Sequence, residues 1–146
     1  MNQIFTIGFT KKTAQEFFTL LERAGVEKVI DVRLNNTSQL AAFSKFPDVE
    51  FFLRRILNVN YAHDKRFAPT EQIFNGYKKK PIDWCGYEKA FAELMTARRI
   101  EEYIAEKYSD AENLCLLCSE PTPENCHRRL VAEKFRTVFD CKIVHL

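Results

Sequence analysis

The sequence predicts an α/β fold in three layers: a mostly parallel sheet of about five strands, flanked by helices. Short apolar runs of strand length alternate along the chain with longer segments of helical periodicity. The segment NLCLLC at 113–118 is continuously apolar after its asparagine, as in a strand that helices cover on both faces. With 146 residues, the chain is expected to form a single α/β domain, 1–146.

Each predicted strand is a short run rich in branched or aromatic apolar residues and bounded by polar or turn-forming residues. The first two strands enclose one helix and make a β-α-β unit, whose strands are parallel and whose crossover is nearly always right-handed. The predicted strands, in chain order, cover residues 4–9, 26–33, 58–63, 113–118 and 141–146.

The helices are predicted from their apolar faces and their capping residues. Thr13 and Glu16 form a capping-box pattern at the start of the first helix, and Gly25 is positioned to end it. Asp48 is a candidate cap for the second helix, and Thr122 for the last one. The predicted helices cover residues 13–24, 48–57, 87–108 and 123–139.

The segment 64–85 has no clear periodicity. It contains two prolines, a run of three lysines and Trp84, with at most one helical turn near Ile73. Irregular stretches of this length in compact domains are often lids or binding loops. The segment is therefore a candidate for covering a ligand site.

Composition indicates a cytoplasmic protein without a membrane partner. The net charge of +2 is not the basic excess that nucleic-acid binders usually show, so nucleic acid is only weakly supported as a partner. The N-terminus lacks the layout of a signal peptide, and no apolar run approaches the ~20 residues of a membrane span. Five cysteines, an odd number, indicate free thiols in a reducing compartment.

Polar and reactive residues stand at the carboxyl ends of the predicted strands, which is where α/β folds place their ligand sites. Because the carboxyl ends of parallel strands share one edge of the sheet, we predict that these residues meet in one cleft. They are Gly8, Arg33, Tyr61, His63, Cys118, Glu120 and His145.

Cys118 and Cys126 are candidate nucleophiles or redox thiols. Cys126 falls in the first turns of the predicted last helix, where the dipole, His127 and Arg128 all favour a thiolate. His127, His63 and Glu120 are the candidate acid–base groups. Glu120 could instead orient His127, or it can equally cap the helix. Because buried cysteines are common in protein cores, two structural thiols are the alternative.

Metal binding is another alternative for these thiols. Cys118 and the Cys126-His127 pair are separated by seven residues, against about two to four in a zinc knuckle. His63 or His145 would have to complete the ligand set. Nothing in the sequence requires such a site, so no metal and no cofactor are predicted.

An anionic small molecule or a nucleotide is the expected ligand, with Arg33 and Arg128 as its anchors. No glycine-rich phosphate loop is present to do this instead. Asp31 and Arg33 lie on one face of their strand, so an internal ion pair is the alternative for Arg33. Gly8, Tyr61 and His63 complete the predicted substrate-binding set, although the last two can equally be core residues.

Several short motifs occur in the order typical of one family, and the pattern spans essentially the whole chain. They are Thr6-Ile7-Gly8, Asp31-Val32-Arg33, Ser38, Tyr61 with His63, Cys118-Ser119-Glu120, Cys126-His127-Arg128 and Val144-His145-Leu146. The chain thus resembles the bacterial and archaeal domain-of-unknown-function family numbered 488. This resemblance implies a compact α/β domain and no assigned activity. The family usually carries a small polar pair after Thr-Ile-Gly, where this chain has Phe9-Thr10.

Two classes of function follow, and the sequence leaves open whether the protein is an enzyme. The first is a small enzyme with a cysteine-containing cleft at the C-terminal strand ends that binds an anion or nucleotide. The second is a non-catalytic module for nucleic acid or a protein partner. It would use the lysines of 77–84 together with Tyr77 and Trp84, on which bases can stack.

Overall fold

A single five-stranded sheet forms the centre of the molecule in the computed structural model, which describes residues 1–37 and 41–146. The strands are β1 (Gln3–Gly8), β2 (Lys28–Asp31), β3 (Asn60–His63), β4 (Leu114–Cys118) and β5 (Lys142–His145). Their order is β3-β2-β4-β1-β5, and every pairing is parallel. The predicted α/β class is therefore confirmed. Ser38, one of the motif residues, lies outside the described part.

Six α-helices flank the sheet among the described residues: α1 (Ala14–Arg23), α2 (Asp48–Phe52), α3 (Glu71–Lys78), α4 (Trp84–Ala97), α5 (Ile100–Lys107) and α6 (His127–Phe139). A π-helical segment, Leu53–Leu57, continues α2. The predicted capping box is present at α1, where the Thr13 and Glu16 side chains each accept from the other's backbone N–H. Gly25 follows the end of α1 with a φ of 64°, a conformation that favours glycine.

Helices on the two faces of the sheet complete the three predicted layers. On one face the apolar residues of α1 and α2 pack against β1, β2 and β4; Phe17, Leu21 and Val49 are buried here. On the other face α4, α5 and α6 pack against the same strands, with Phe91 and Phe135 buried. Alternate residues of β4 point to opposite layers, which places Cys115 and Cys118 on different faces, as their spacing predicts.

The predicted helix 87–108 is wrong in its continuity, because the chain forms α4 and α5 with a break between them. Arg99 adopts a left-handed conformation with a φ of 51°, which interrupts the helical path. The preceding residue, Arg98, reaches away from the helix and donates to the carbonyls of Arg66 and Ala68 at 2.8 and 2.6 Å. These contacts fix the junction against the segment that follows β3.

Two further predictions at helix boundaries are wrong. The last helix begins at His127, not near Pro123, because Cys126 is extended (φ −137°) and is itself the N-cap, so Thr122 does not cap it. Asp48 is the first residue of α2 and not its cap. The segment 64–85 is also more regular than its sequence indicates, since Thr70 caps the two-turn helix α3.

The chain connections place a crevice between β2 and β4. These strands are neighbours in the sheet, but the chain leaves β2 toward β3 on one side and leaves β4 toward β5 on the other. Such a reversal is where open parallel sheets bind their ligands, outside the carboxyl ends of the strands. None of the helices in the described ranges has the combined length and apolarity that a membrane crossing requires.

Candidate functional site

A cavity of about 110 Å³ opens at the crevice between β2 and β4. Residues 33–35 after β2, residues 118–120 at the end of β4 and residues 125–127 at the start of α6 form its floor. Its other side is formed by α3 and the first turn of α4, with Pro69 beside them. Four of the predicted site residues line this single cavity in addition to Arg33: Cys118, Glu120, Cys126 and His127.

Cys118 is the last residue of β4, on the strand face that α4 and α6 cover. Its residue surface is only 5% exposed, yet it lines the cavity. A hydrogen bond from Cys126 lowers the pKa of the Cys118 thiol, with help from the Ser119 backbone N–H and the charge of Arg128; these effects outweigh burial, which raises it. Cys118 is thus easier to ionise than an ordinary cysteine thiol.

His127, the first residue of α6, has a fixed ring orientation. Its Nε2 lies 2.8 Å from the carbonyl oxygen of Val32. A carbonyl only accepts, so Nε2 carries the hydrogen and donates it, which leaves Nδ1 free to act as a base in the neutral ring. Nδ1 lies 3.8 Å from Sγ of Cys118. The backbone of Val32, and not Glu120 as one sequence hypothesis had it, therefore orients this imidazole.

Cys126 is buried beside Cys118 and differs from it in its charge state. Its hydrogen bond to Cys118 raises the pKa of the Cys126 thiol, and burial raises it further. Its proton is therefore retained and shared with the Cys118 sulfur. The two thiols form one acid–base pair in which Cys118 is the more readily ionised member.

Arg128 brings a positive charge to this group from a buried position. It is 1% exposed, and Nη1 donates to the Glu120 carbonyl at 2.6 Å and to Sγ of Cys126 at 3.5 Å. Among the residues that the structure describes, its Nε has no hydrogen-bond partner and no carboxylate lies within ion-pair distance of it. The side chain to which this buried cation donates is that of Cys126. We refer to Cys118, Cys126, His127 and Arg128 as the thiol centre.

Gly8 supports the thiol centre from the neighbouring strand and does not line the cavity. It pairs with Cys118 across the sheet. A Cβ atom at this position would stand 1.7 Å from the Glu120 carbonyl oxygen and 3.0 Å from Nη1 of Arg128. Glycine is needed here because the chain after β4 passes directly over β1, where it accepts the hydrogen bond from Arg128.

Aromatic side chains form the wall opposite the thiol centre. Trp84 and Tyr87 stack with ring centroids 5.0 Å apart, and Tyr77 meets both rings at 5.7 and 5.3 Å. Phe74 completes the set, with the Lys78 ammonium 5.4 Å from its ring centre. We call Phe74, Tyr77, Trp84 and Tyr87 the aromatic wall.

Arg33 lines the cavity, but much of its guanidinium is already occupied. Its Nε and Nη2 donate to the two carboxylate oxygens of Asp31 at 2.8 and 2.7 Å, and Nη2 also donates to the Ser44 carbonyl at 2.7 Å. The ion-pair alternative for Asp31 and Arg33 is therefore what the structure shows. Burial lowers the pKa of Arg33, but Asp31 more than compensates and raises it.

Tyr61 and His63 lie outside the cavity. The Tyr61 hydroxyl donates to Asp31 at 2.6 Å, which ties this residue to the ion pair and not to the cavity. Nε2 of His63 donates to the Arg33 carbonyl at 2.7 Å. His63 lines a separate depression with Asn36 and Lys65. Both residues therefore contact the end of β2 and the segment that follows it, outside the cavity.

Sequence reasoning missed part of the cavity lining. Phe74, Tyr87 and Asn125 were not singled out as site residues. The lysines of 77–84, Tyr77 and Trp84 formed the alternative surface for nucleic acid or a protein partner, whereas Tyr77, Lys78 and Trp84 line the same cavity as the thiol centre. The available signal was the length of the segment 64–85, which already indicated a lid or binding loop.

Comparison with known proteins gives one match. A family model described as "Domain of unknown function DUF488" matches residues 13–135, which include β2, β3, β4 and the thiol centre. No curated protein and no solved structure matches the chain significantly.

Proposed function

This chain belongs to the family of domains of unknown function DUF488, and from that premise we propose that it is a small thiol-dependent enzyme. Cys118 is the nucleophile, His127 is the acid–base group, and the substrate is a planar anionic molecule or the planar end of a nucleotide. The single observation that carries the proposal is the position of Cys118. Cys118 lines the cavity, and its Sγ lies 3.8 Å from Nδ1 of His127. The other ring nitrogen of His127, Nε2, donates to the Val32 carbonyl.

The order of contacts matches what nucleophilic catalysis requires. A nucleophile needs a base within reach, and that base needs a partner that fixes its tautomer. His127 is the base here. The Val32 carbonyl is the partner that fixes the tautomer of His127, and it carries no charge. Distances between such groups are often longer before substrate binds, so 3.8 Å is compatible with this role.

The proposed reaction is hydrolytic group transfer through Cys118. The thiolate electron pair forms a bond from sulfur to an electrophilic carbon, and the bond to the leaving group breaks. Nδ1 of His127, which holds the proton taken from Cys118, passes it to the leaving group. Water then attacks the same carbon with its proton going to Nδ1, and the sulfur leaves as the thiolate.

The cavity walls support a planar ligand with a negative charge. The aromatic wall offers flat apolar surfaces on which a ring can stack, worth about 1–3 kcal/mol in comparable sites. Lys78 lines the opening, and the buried charge of Arg128 lies behind the thiols. Because Asp31 already neutralises Arg33, we assign the anchoring of the anion to Lys78 and the field of Arg128. A cytosolic setting, where thiols stay reduced, suits this chemistry.

Alkylation by iodoacetamide tests the nucleophile, and the chain provides an internal standard. Cys85 is an exposed free thiol, whereas Cys118 is buried. We expect Cys118 to react faster than Cys85 at pH 7 despite its burial, as measured by peptide mass spectrometry over time. His127→Ala should slow Cys118 by about tenfold or more.

His63→Ala is the matched control, since both imidazoles donate to a backbone carbonyl next to β2 but His63 lies outside the cavity. This variant should leave the Cys118 rate unchanged. A rate for Cys118 no faster than that of Cys85 would show that the thiol is structural, and the enzyme proposal would be wrong. Adenosine monophosphate should slow the alkylation of Cys118 more than inorganic phosphate does. If neither compound changes the rate, the nucleotide-like ligand is wrong, whereas the proposed role of Cys118 as nucleophile is unaffected.

A further inference from the structure

The thiol centre brings three potential metal ligands to one point. The two sulfurs of Cys118 and Cys126 and a ring nitrogen of His127 all lie within 4.8 Å of one another. They come from the end of one strand and the start of one helix, separated in sequence by a short loop. All three line the cavity, so a fourth coordination position would face the ligand-binding space.

The orientation of His127 is the one that metal-bound histidines adopt. Such a histidine coordinates through one ring nitrogen and donates its other N–H to a carbonyl or carboxylate. Nε2 of His127 donates to the Val32 carbonyl at 2.8 Å, which leaves Nδ1 as the nitrogen that can coordinate a metal. Sγ of Cys118 lies beside the ring, 3.8 Å from Nδ1 and 4.0 Å from Nε2. In a tetrahedral zinc site, sulfur and nitrogen ligands lie about 3.5 Å apart, given the usual bond lengths. A shift of a few tenths of an ångström therefore suffices.

The loop between the two cysteines is held in place by its own contacts. Thr10 N donates to the Ser119 carbonyl at 3.1 Å, and Cys126 N donates to the Pro123 carbonyl at 3.2 Å. Nη1 of Arg128 donates to the Glu120 carbonyl at 2.6 Å, which holds the middle of the loop. The ligand positions are thus arranged by the fold, and metal binding does not have to order a flexible segment.

We propose that Cys118, Cys126 and His127 bind a zinc ion whose fourth position opens into the cavity. Two thiolates and an imidazole suit a borderline-soft divalent metal better than a hard one such as magnesium. Two thiolate charges cancel the charge of the ion, so Arg128 faces a neutral centre and its N–H can still donate to a bound sulfur. The inference rests on the proposed function in one respect: zinc occupies the sulfur of the nucleophile, so the metal-bound protein is the inactive form.

Cobalt(II) is the probe, because its absorption reports sulfur ligation directly. The reduced, metal-free protein is titrated with Co²⁺, and we expect sulfur-to-cobalt charge-transfer absorption that saturates at one ion per chain and disappears when Zn²⁺ is added. Cys126→Ser and His127→Ala should each weaken binding by at least about tenfold. Cys85→Ser should leave the titration unchanged. Circular dichroism of each variant establishes that it is folded, and Cys126→Ala replaces Cys126→Ser if the serine variant is not.

Alkylation of the zinc-loaded protein separates this inference from the proposed function. Zinc should protect Cys118 from iodoacetamide and leave Cys85 reactive. Absence of charge-transfer absorption, or an unchanged titration in both ligand variants, would overturn the metal site while fast alkylation of Cys118 kept the enzyme proposal. Charge-transfer absorption together with a Cys118 that is slow in the metal-free protein would support the metal site and remove the nucleophile.

Discussion

Two buried polar clusters lie at the carboxyl ends of strands, and they differ in how completely their groups are paired. The Asp64 cluster follows β3: Oδ2 accepts from Tyr103 and Tyr108, each at 2.7 Å, and from Lys107 at 2.9 Å, while Oδ1 accepts from the Arg66 N–H at 3.2 Å. The thiol centre follows β4. Its contacts to sulfur are longer, one nitrogen of Arg128 has no partner among the described residues, and the group opens into a cavity.

The difference separates a cluster whose polar groups are paired within the protein from one that, among the described residues, still has an unpaired group beside a cavity. A buried carboxylate with four donors has no capacity left for a ligand and serves to hold β3, α5 and the intervening turn together. A buried cation without a carboxylate partner is costly to the folded state. Such a cost is typical of sites that must interact with something that arrives later, a substrate or an ion.

The sharpest test of this comparison is Asp64→Ala. Removing the carboxylate leaves the buried hydroxyl of Tyr108 and the half-buried one of Tyr103 without their acceptor, so we expect the free energy of unfolding to fall by about 3 kcal/mol. Urea denaturation followed by circular dichroism measures it. A loss below about 1 kcal/mol would mean that the cluster does not hold the fold together.

Gly8→Ala tests the mechanical support of the thiol centre. The new methyl group would collide with the Glu120 carbonyl and displace the loop after β4. We expect a loss of about 2 kcal/mol, as for other overpacked positions, and slower alkylation of Cys118 because Arg128 loses its anchor. Gly76→Ala is a comparison variant at a glycine outside this contact. Equal behaviour of the two variants would argue against a specific role for Gly8.

The pH dependence of stability should be traceable to Asp64. Burial raises the pKa of Asp64, but the hydrogen bonds from Lys107, Tyr103 and Tyr108 outweigh it and lower the pKa below its ordinary value of 3.8. The stabilisation is therefore present above that value and is lost as the pH falls through the lower, folded-state pKa. We expect the free energy of unfolding of the wild-type protein to fall in this acid range, but by less than the loss caused by Asp64→Ala. The reason is that a protonated carboxyl group can still accept hydrogen bonds from Tyr103 and Tyr108.

Asp64→Asn serves as the control for that measurement. Its unfolding free energy should be lower than that of the wild-type protein at pH 7 and should depend less on pH below about 4. Parallel curves for the two proteins over this range would assign the acid sensitivity to other carboxylates.

The smallest expected change in stability is that of Cys118→Ser. The serine hydroxyl fits beside the cavity and can hydrogen-bond to His127, so we expect a cost of about 1 kcal/mol or less. Thiol labelling at this position and the cobalt absorption should both be lost. If Cys118→Ser lowers the free energy of unfolding as much as Asp64→Ala does, Cys118 stabilises the fold in the same way as Asp64. The two clusters would then not differ in role.

Strand positions and the location of the site were predictable because they depend on local patterns. The apolar run before Cys118 marks a covered strand, and the rule that parallel strands end at one edge brings Arg33 and Cys118 together. The capping box at Thr13 was predictable for the same reason, since its hydrogen bonds join residues three apart.

Contacts between distant segments were not predictable from these patterns. The ion pair of Asp31 and Arg33 joins residues two apart and was a local alternative, but nothing local shows that the Val32 carbonyl would orient His127. The break at Arg99 depends on the hydrogen bond from Arg98 to the distant Ala68 carbonyl. The start of α6 at His127 depends on the turn in which Cys126 N donates to the Pro123 carbonyl. Phe74 was missed because α3 is too short for a clear period.

The strand order has a consequence for how molecules of this protein meet one another. The two outer strands, β3 and β5, are four residues each, and β5 begins with the exposed Lys142. Short edge strands, one of which begins with a lysine, offer little template for another chain to extend the sheet. The two longest strands, β1 and β4, lie in the interior of the sheet together with Cys118, so the most apolar strands are not available for pairing with another molecule.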